Sequence, residues 1–182
     1  IVYLRSRYPS RLTQAAERTA YIGYAIPPLA LGLSYVFFSL YAAPVLYQSL
    51  LLLIFAYALN FLALAMGPVR SAMLQAPRRL EEAAGSLGLS PARAFTRVIL
   101  PVVKRGMLSS VVLVFVMAMK ELPITLLLSP PGYMTLSMAV FSRTSEAQFA
   151  EAAPYAAAII LISGVLAALT LNLEGDKTDA ST

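Results

Sequence analysis

Cysteine and histidine are both missing from this 182-residue chain. Their absence rules out disulfides, thiolate metal sites and histidine acid–base chemistry, which leaves little material for an enzyme active site. Charge is scarce too: Asp, Glu, Lys and Arg make up 13% of residues against 59% hydrophobic, which places the chain in the membrane class before any motif is read. There is no Gly-Lys-Ser/Thr phosphate loop, so the chain lacks that means of holding a nucleotide. Internal repeats and coiled-coil heptads are also absent. The first apolar run follows a basic segment far too long for a signal peptide. The chain begins at Ile1, and from this it is expected to be a fragment or the second half of a longer polypeptide. Its 14 Lys and Arg against 9 Asp and Glu do not call for a nucleic-acid partner, because membrane proteins gather basic residues in cytoplasmic loops.

The apolar runs predict four spans, each long enough for a hydrocarbon core of about 30 Å. Residues 1–19 read as the end of an upstream span and a loop. Arg5, Arg7, Arg11 and Arg18 against Glu17 mark that loop as cytoplasmic. A first span over 20–42 contains Pro27-Pro28, which must open its backbone ladder. Ala43-Pro44 makes a tight outer turn. A second span over 45–66 has Asn60 as its one strongly polar member, read as hydrogen-bonding a neighbouring helix in preference to touching substrate, and Gly67-Pro68 ends it. The segment 70–105 is basic and therefore cytoplasmic, with Arg70, Arg78, Arg79, Arg93, Arg97, Lys104 and Arg105 outweighing Glu81 and Glu82.

A third span over 106–128 meets Lys120-Glu121-Leu122-Pro123 about 21 Å along, at 1.5 Å per residue. Charges at that depth face protein or a water-filled cavity. The stretch is therefore either a broken helix beside a translocation path or a helix end at the outer interface. An outer segment follows, with turn formers Pro130-Pro131-Gly132 and a short helix expected over 135–141. A last span over 152–173 carries Ser163, Gly164 and Ala168, read as a packing face, before a polar tail over 174–182.

The most informative stretch runs from Pro77 to Pro101. Pro77 can open a helix whose stripe is Leu80, Ala83, Ala84 and Leu87, and Gly88 ends it by taking the left-handed conformation. Ser90 caps a second helix with Pro91 at its first position, and Pro101 stops it. Glu82-Ala83-Ala84, Gly88, Val98 and Leu100-Pro101 resemble the EAA motif of the membrane-spanning subunits of ABC-type importers, with Val98 where that family usually has isoleucine. Tyr24 to Pro28 (YAIPP) is similar to the Tyr-Ala-Leu-Pro-Gly of the ferric-iron branch, departing at Pro28. Lys120 to Leu136 resembles that branch's Lys-Glu-Leu-Pro…Thr-Leu-Leu-Leu-Arg-Pro pattern, departing at Ser129.

The resemblance implies an all-α, polytopic permease bundle of the MetI-like kind in a bacterial or archaeal inner membrane. Such a domain has a core of six helices, of which about four are visible. It implies that Glu82, Ala83, Ala84, Gly88, Ser90, Pro91, Leu100 and Pro101 couple the chain to a cytoplasmic ABC ATPase dimer, where ATP and magnesium would reside. It further implies a second permease half, an extracytoplasmic substrate-binding protein, and a pathway or gate at Lys120, Glu121 and Pro123. No cofactor, metal site or catalytic residue is expected on this chain. Ferric iron is the favoured cargo, with thiamine, polyamine, phosphonate or sulfate as alternatives. A different class, an ion-coupled carrier or a structural subunit without an ATPase, leaves the Pro77–Pro101 hairpin unexplained.

The charge pattern generates a topology test. Single cysteines introduced at Ser86 and Ser142 of this cysteine-free chain should react with membrane-impermeant reagents from opposite sides, Ser86 from the cytoplasm. Labelling from one side overturns the assignment.

Overall fold

The computed structural model describes residues 1–175, with side chains through Thr170. Every regular element in this range is helical. A short α1 (Val2–Arg7) leads to α2 (Arg11–Ala25), which Ser10 and Thr13 open with a reciprocal capping box. The segment before residue 20 is thus helical where a loop is expected. After α3 (Pro28–Ala42) and a single 3₁₀ turn at Pro44–Leu46 comes α4 (Leu50–Leu74), whose N-cap Ser49 accepts a hydrogen bond from the Leu52 N–H. The cytoplasmic-type hairpin is α5 (Arg78–Ser86) and α6 (Pro91–Ala94), which passes through a wide π turn (Phe95–Ile99) into α7 (Leu100–Lys120). Three more helices complete the described range: α8 (Pro123–Leu128), α9 (Leu136–Ser145) and α10 (Phe149–Gly175). From residue 176 onward the expected polar tail lies outside the described residues.

Three helical stretches are long and apolar enough to cross a membrane, Leu50–Leu74, Pro91–Lys120 and Phe149–Thr170. The pair α2 and α3 makes a fourth if its 105° bend is counted within one span. The ladder expected to open at Pro27-Pro28 within the span over 20–42 is in fact fully broken there. Two successive prolines push Ile26 and Pro27 into extended backbone, with ψ of 133° at both, so the helix stops and restarts with Pro28 at its first position. The expected span over 106–128 is likewise divided, since α7 ends at Lys120 and α8 starts afresh at Pro123.

Two prolines expected to end helices do not. Pro68 lies inside α4, which runs six residues further to Leu74. The residue before it is Gly67, which has no Cβ to clash with the proline ring, so the usual restriction is relaxed. Pro101 stands at the start of α7 rather than at an end. Just before it, the chain widens so that the Leu100 N–H bonds to the carbonyl of Phe95, five residues back. A π turn of this kind makes room for a proline ring and its missing donor without breaking the helix.

Two apolar clusters hold the bundle. One joins Leu31 of α3, Leu52, Leu53 and Ala56 of α4, and Ile124 and Leu128 of α8. The other joins Ala72, Met73 and Ala76 at the end of α4 to Ile99 and Val103 at the start of α7. Between them α4 and α7 cross closely. A Cβ built on Gly106 would lie 2.5 Å from the Ala72 Cβ and 2.7 Å from the Pro68 carbonyl oxygen. Ser110 of α7 donates a hydrogen bond of 2.6 Å to the Ala65 carbonyl on the same face. By contrast α10, which packs on α7 and α9, is largely exposed: of its small-residue stripe Gly164 has nothing within 4 Å where a side chain would project, while the Ser163 hydroxyl is buried.

The crossing allows no side chain at Gly106. Gly106→Val should destabilise the detergent-solubilised protein by about 1–3 kcal/mol or more, the usual penalty for overpacking, because backbone and not a flexible side chain must give way. A thermal unfolding curve unchanged from wild type overturns this account of the crossing.

Candidate functional site: a cytoplasmic-type hairpin and a cavity at two helix breaks

The hairpin is built from its glycine outward. Gly88 has φ of +82°, the left-handed region that only glycine enters without strain. The Gly88 N–H bonds to the Gly85 carbonyl at 2.9 Å and the Leu89 N–H to the Ala84 carbonyl at 3.0 Å, the paired bonds of a Schellman terminus. Ser90 then occupies the cap of α6 by position: its carbonyl accepts from the Ala94 N–H at 2.8 Å, while its hydroxyl makes no cap bond. The expected side-chain cap is therefore not formed. Pro91 takes the first helical position, where the missing N–H has no partner to lose.

The expected coupling residues fall into two groups. Ala84 is buried and Leu100 packs on the second apolar cluster. Glu82, Ala83, Gly88, Ser90, Pro91 and Pro101 are exposed, and Leu87 beside the turn is 83% exposed. The hairpin thus presents a glutamate, a flat alanine and an uncovered leucine on a rigid turn.

What anchors the base of the hairpin is a residue read only for its charge. Arg7 is 8% exposed, and its guanidinium donates to Glu81 Oε1 at 2.6 Å and to the Ala76 carbonyl at 2.5 Å. The Arg78 side chain donates in return to the Arg7 carbonyl. Tyr3 packs edge-on against Phe95 with ring centroids 4.8 Å apart. Glu17 of α2 accepts from Arg5 at 3.1 Å and also pairs with Arg70 of α4. So α1 clamps both the exit of α4 and the first turn of α5. In the sequence Arg7 is one of several basic residues, and its partners lie about seventy positions away, so only folding brings them together.

The second site lies where the chain breaks twice. The α2–α3 bend contributes Tyr24 and Pro28, the α7–α8 break contributes Lys120, Glu121, Leu122 and Pro123, and α4 contributes Asn60 between them. Together they line an open cavity of about 500 Å³. All three expected pathway residues, Lys120, Glu121 and Pro123, border it.

Their chemistry differs. Glu121 is 7% exposed and its carboxylate folds back over the start of α8. Oε1 accepts from the Ile124 N–H at 3.0 Å; Oε2 accepts from the Thr125 N–H at 3.0 Å and the Thr125 hydroxyl at 2.9 Å. Its main-chain carbonyl accepts from Ser137 of α9 at 2.8 Å and from Thr125 at 3.0 Å, and Tyr57 of α4 hydrogen-bonds Thr125 in turn. An acidic side chain on the free N–H groups of a helix start satisfies both. Replacing one oxygen by NH₂, as Glu121→Gln does, would orphan a buried N–H at about 1–3 kcal/mol. Lys120 is exposed at the end of α7 and is paired with no carboxylate among the described residues. Asn60 is 5% exposed and makes none of the described hydrogen bonds, so the expected interhelical bond is not formed. It faces the cavity instead. Among the described residues no group of His, Cys, Asp or Glu could hold a metal ion.

A helical permease bundle with an exposed Glu-Ala-Ala hairpin between apolar spans defines a class, and the comparisons identify it. Residues 2–174 match the family described as binding-protein-dependent transport system inner membrane component, and the chain belongs to that family. It is a multi-pass membrane protein of the ABC-importer permease family.

Among its relatives is the Fe(3+)-transport system permease protein FbpB 2 of Haemophilus influenzae, 39% identical over 165 residues, covering 91% of this chain and 33% of that protein. PhnV of Salmonella typhimurium, provisionally named for 2-aminoethylphosphonate transport, is 27% identical over 146 residues, covering 80% of this chain and 55% of its own length. The putrescine transport system permease protein PotI of Escherichia coli is 35% identical over 74 residues, covering 41% and 26%. The chain therefore spans about a third of the ferric-iron relative and about half of the PhnV relative.

The clamp generates a test by double-mutant cycle. Arg7→Met should lower the thermal stability of the intact protein by about 1.5–3 kcal/mol, the range for hydrogen bonds to charged groups, because it leaves Glu81 and the Ala76 carbonyl without their donor. Arg7→Lys should rescue little, since an ammonium lacks the planar fork that reaches both acceptors. Arg7→Met combined with Glu81→Leu should be less damaging than the sum of the singles. Independent, additive effects overturn the clamp.

Proposed function

We propose that this chain is one transmembrane half of an ATP-driven importer whose cargo is ferric iron, delivered by an extracytoplasmic binding protein. In this reading the exposed hairpin docks on an ATPase dimer that holds ATP and magnesium, and a second permease half completes the pathway. The observation that carries the docking role is the Schellman turn at Gly88. It fixes Glu82, Ala83 and Leu87 on one exposed, pre-ordered surface, so that docking need not order a loop. The iron assignment is supported by the similarity to the ferric-iron relative over most of this chain.

Coupling follows from rigidity. The hairpin is continuous with α7 through the π turn, and Lys120 stands about 30 Å from Leu100 along that helix at 1.5 Å per residue. A push on the hairpin is therefore delivered to the cavity at the far end of the same rod. The breaks at Ile26-Pro27 and Glu121-Leu122 are where φ and ψ can change without opening the long helices.

The reading is tested on the full-length protein assembled with its ATPase and binding protein in proteoliposomes. Wild type should accumulate radiolabelled ferric iron only when ATP is supplied. Gly88→Leu should lower both ATPase association and uptake, because a leucine in the left-handed region costs about 1–2 kcal/mol and rebuilds the turn. Membrane insertion should be unchanged, since the apolar spans are untouched. Wild-type uptake by Gly88→Leu removes the hairpin as the coupling element, and ATP-driven uptake of 2-aminoethylphosphonate or putrescine without iron reassigns the cargo.

A further inference from the structure

We propose that the cavity between the two helix breaks is a contact site for anionic oxygens of the cargo, with Lys120 as its charge and Asn60 as its neutral donor. The proposal rests on the transport reading of this cavity and narrows the cargo's chemistry.

Two independent observations carry it. The first is how the two neighbouring charges are used. Lys120 and Glu121 are adjacent in sequence, yet the Glu121 carboxylate is turned onto α8 with both oxygens occupied by the Ile124 and Thr125 donors. Three hydrogen bonds tie it to the start of α8, so it is committed there and not free to swing toward a ligand. The Lys120 ammonium pairs with no carboxylate among the described residues and borders the cavity. The charge left available there is positive. The second observation is Asn60, which is 5% exposed as a residue yet lines the same cavity and makes no hydrogen bond to protein among the described residues. Its amide atoms stay reachable from the cavity, since the Ser163 hydroxyl is the buried side-chain atom that lacks a partner among the described residues, so the amide donors are open to a ligand.

An ammonium offers three donors and no acceptor, and an amide NH₂ offers two more. That set matches the oxygens of a phosphate, phosphonate or carboxylate. It disfavours a bare multivalent cation, which would meet the Lys120 charge beside a carboxylate already committed to three donors. If the cargo is ferric iron, the metal therefore crosses inside a shell of anionic ligands and not as the naked ion.

The test uses the full transporter with its ATPase and binding protein in proteoliposomes. ATP-driven uptake of radiolabelled ferric iron and of 2-aminoethylphosphonate is followed separately, each expressed per assembled complex as counted by size-exclusion chromatography. For whichever probe wild type carries, uptake should follow charge at position 120. Lys120→Arg should stay near wild type. Lys120→Met should fall about tenfold or more, the scale of one lost charge-assisted hydrogen bond, and Lys120→Glu should fall further. Asn60→Leu should also lose uptake, with Asn60→Gln retaining part of it.

If wild type carries the phosphonate and not iron and the charge order holds, the iron reading fails and the anion site stands. Iron carried as well or better by Lys120→Glu overturns the anion site while leaving the iron reading intact. Loss confined to the amount of assembled complex, with normal uptake per complex, also overturns it and makes Lys120 a structural partner of the second permease half.

Discussion

Everything functional in this chain hangs on the close crossing of α4 and α7. At Gly106 the two helices approach until no side chain fits between them, with Pro68 and Ala72 on the opposing face. Backbone contact of this kind matters in lipid, where the hydrophobic effect does not drive helices together and close packing must. The crossing sits between two working ends. On one side α4 delivers Met73 and Ala76 to the base of the hairpin, and α7 begins there with Ile99 and Val103. On the other, α4 carries Asn60 to the cavity and α7 ends at Lys120. Two long helices fixed to each other at one point join the hairpin end of the chain to its cavity end.

The two ends are stabilised by different physics. The hairpin end is clamped by charge: Arg7 joins Glu81 to the Ala76 carbonyl, and Glu17 joins Arg5 to Arg70. The cavity end is tied by a polar knot in which Glu121, Thr125, Tyr57 and Ser137 link three helices around the start of α8. A knot of hydrogen bonds within an apolar bundle makes the position of the α7–α8 break unambiguous, because every alternative register would leave buried donors unmet. It also gives a reason for the acidic residue beside Lys120 that does not involve the cargo. The exposed faces of α3 and α10, rich in large apolar side chains such as Phe37, Phe38, Ile160 and Leu161, are surfaces left to lipid.

Much of this architecture was legible beforehand because the bilayer enforces simple rules. Runs of apolar residues had to be helical, since backbone groups in hydrocarbon must be satisfied within the segment. The glycine at position 88, followed by Ser90-Pro91, announced a helix end and restart by local backbone preference alone, and the φ of Gly88 agrees. The same local reasoning failed at Pro68 and Pro101. A proline's effect depends on what surrounds it: Gly67 relaxed one site and a π turn absorbed the other, while packing along the α4–α7 contact held both helices together. At Pro27-Pro28 two rings in succession left no such escape, and the chain turned through 105°.

By itself, then, the sequence determined that this chain is helical, lies in a membrane, turns at Gly88 and carries Lys120 and Glu121 beside a proline. Those properties follow from solvation, local dihedral preference and residue order. Only the tertiary structure decided what the polar residues do. Arg7 became a clamp and not merely a topology marker, Glu121 became a helix cap while Lys120 stayed open, and Asn60 faced a cavity instead of a helix. Each of those roles needs a partner, or the lack of one, set by elements far apart in the chain. No local preference encodes which buried donor meets which acceptor once the helices have packed.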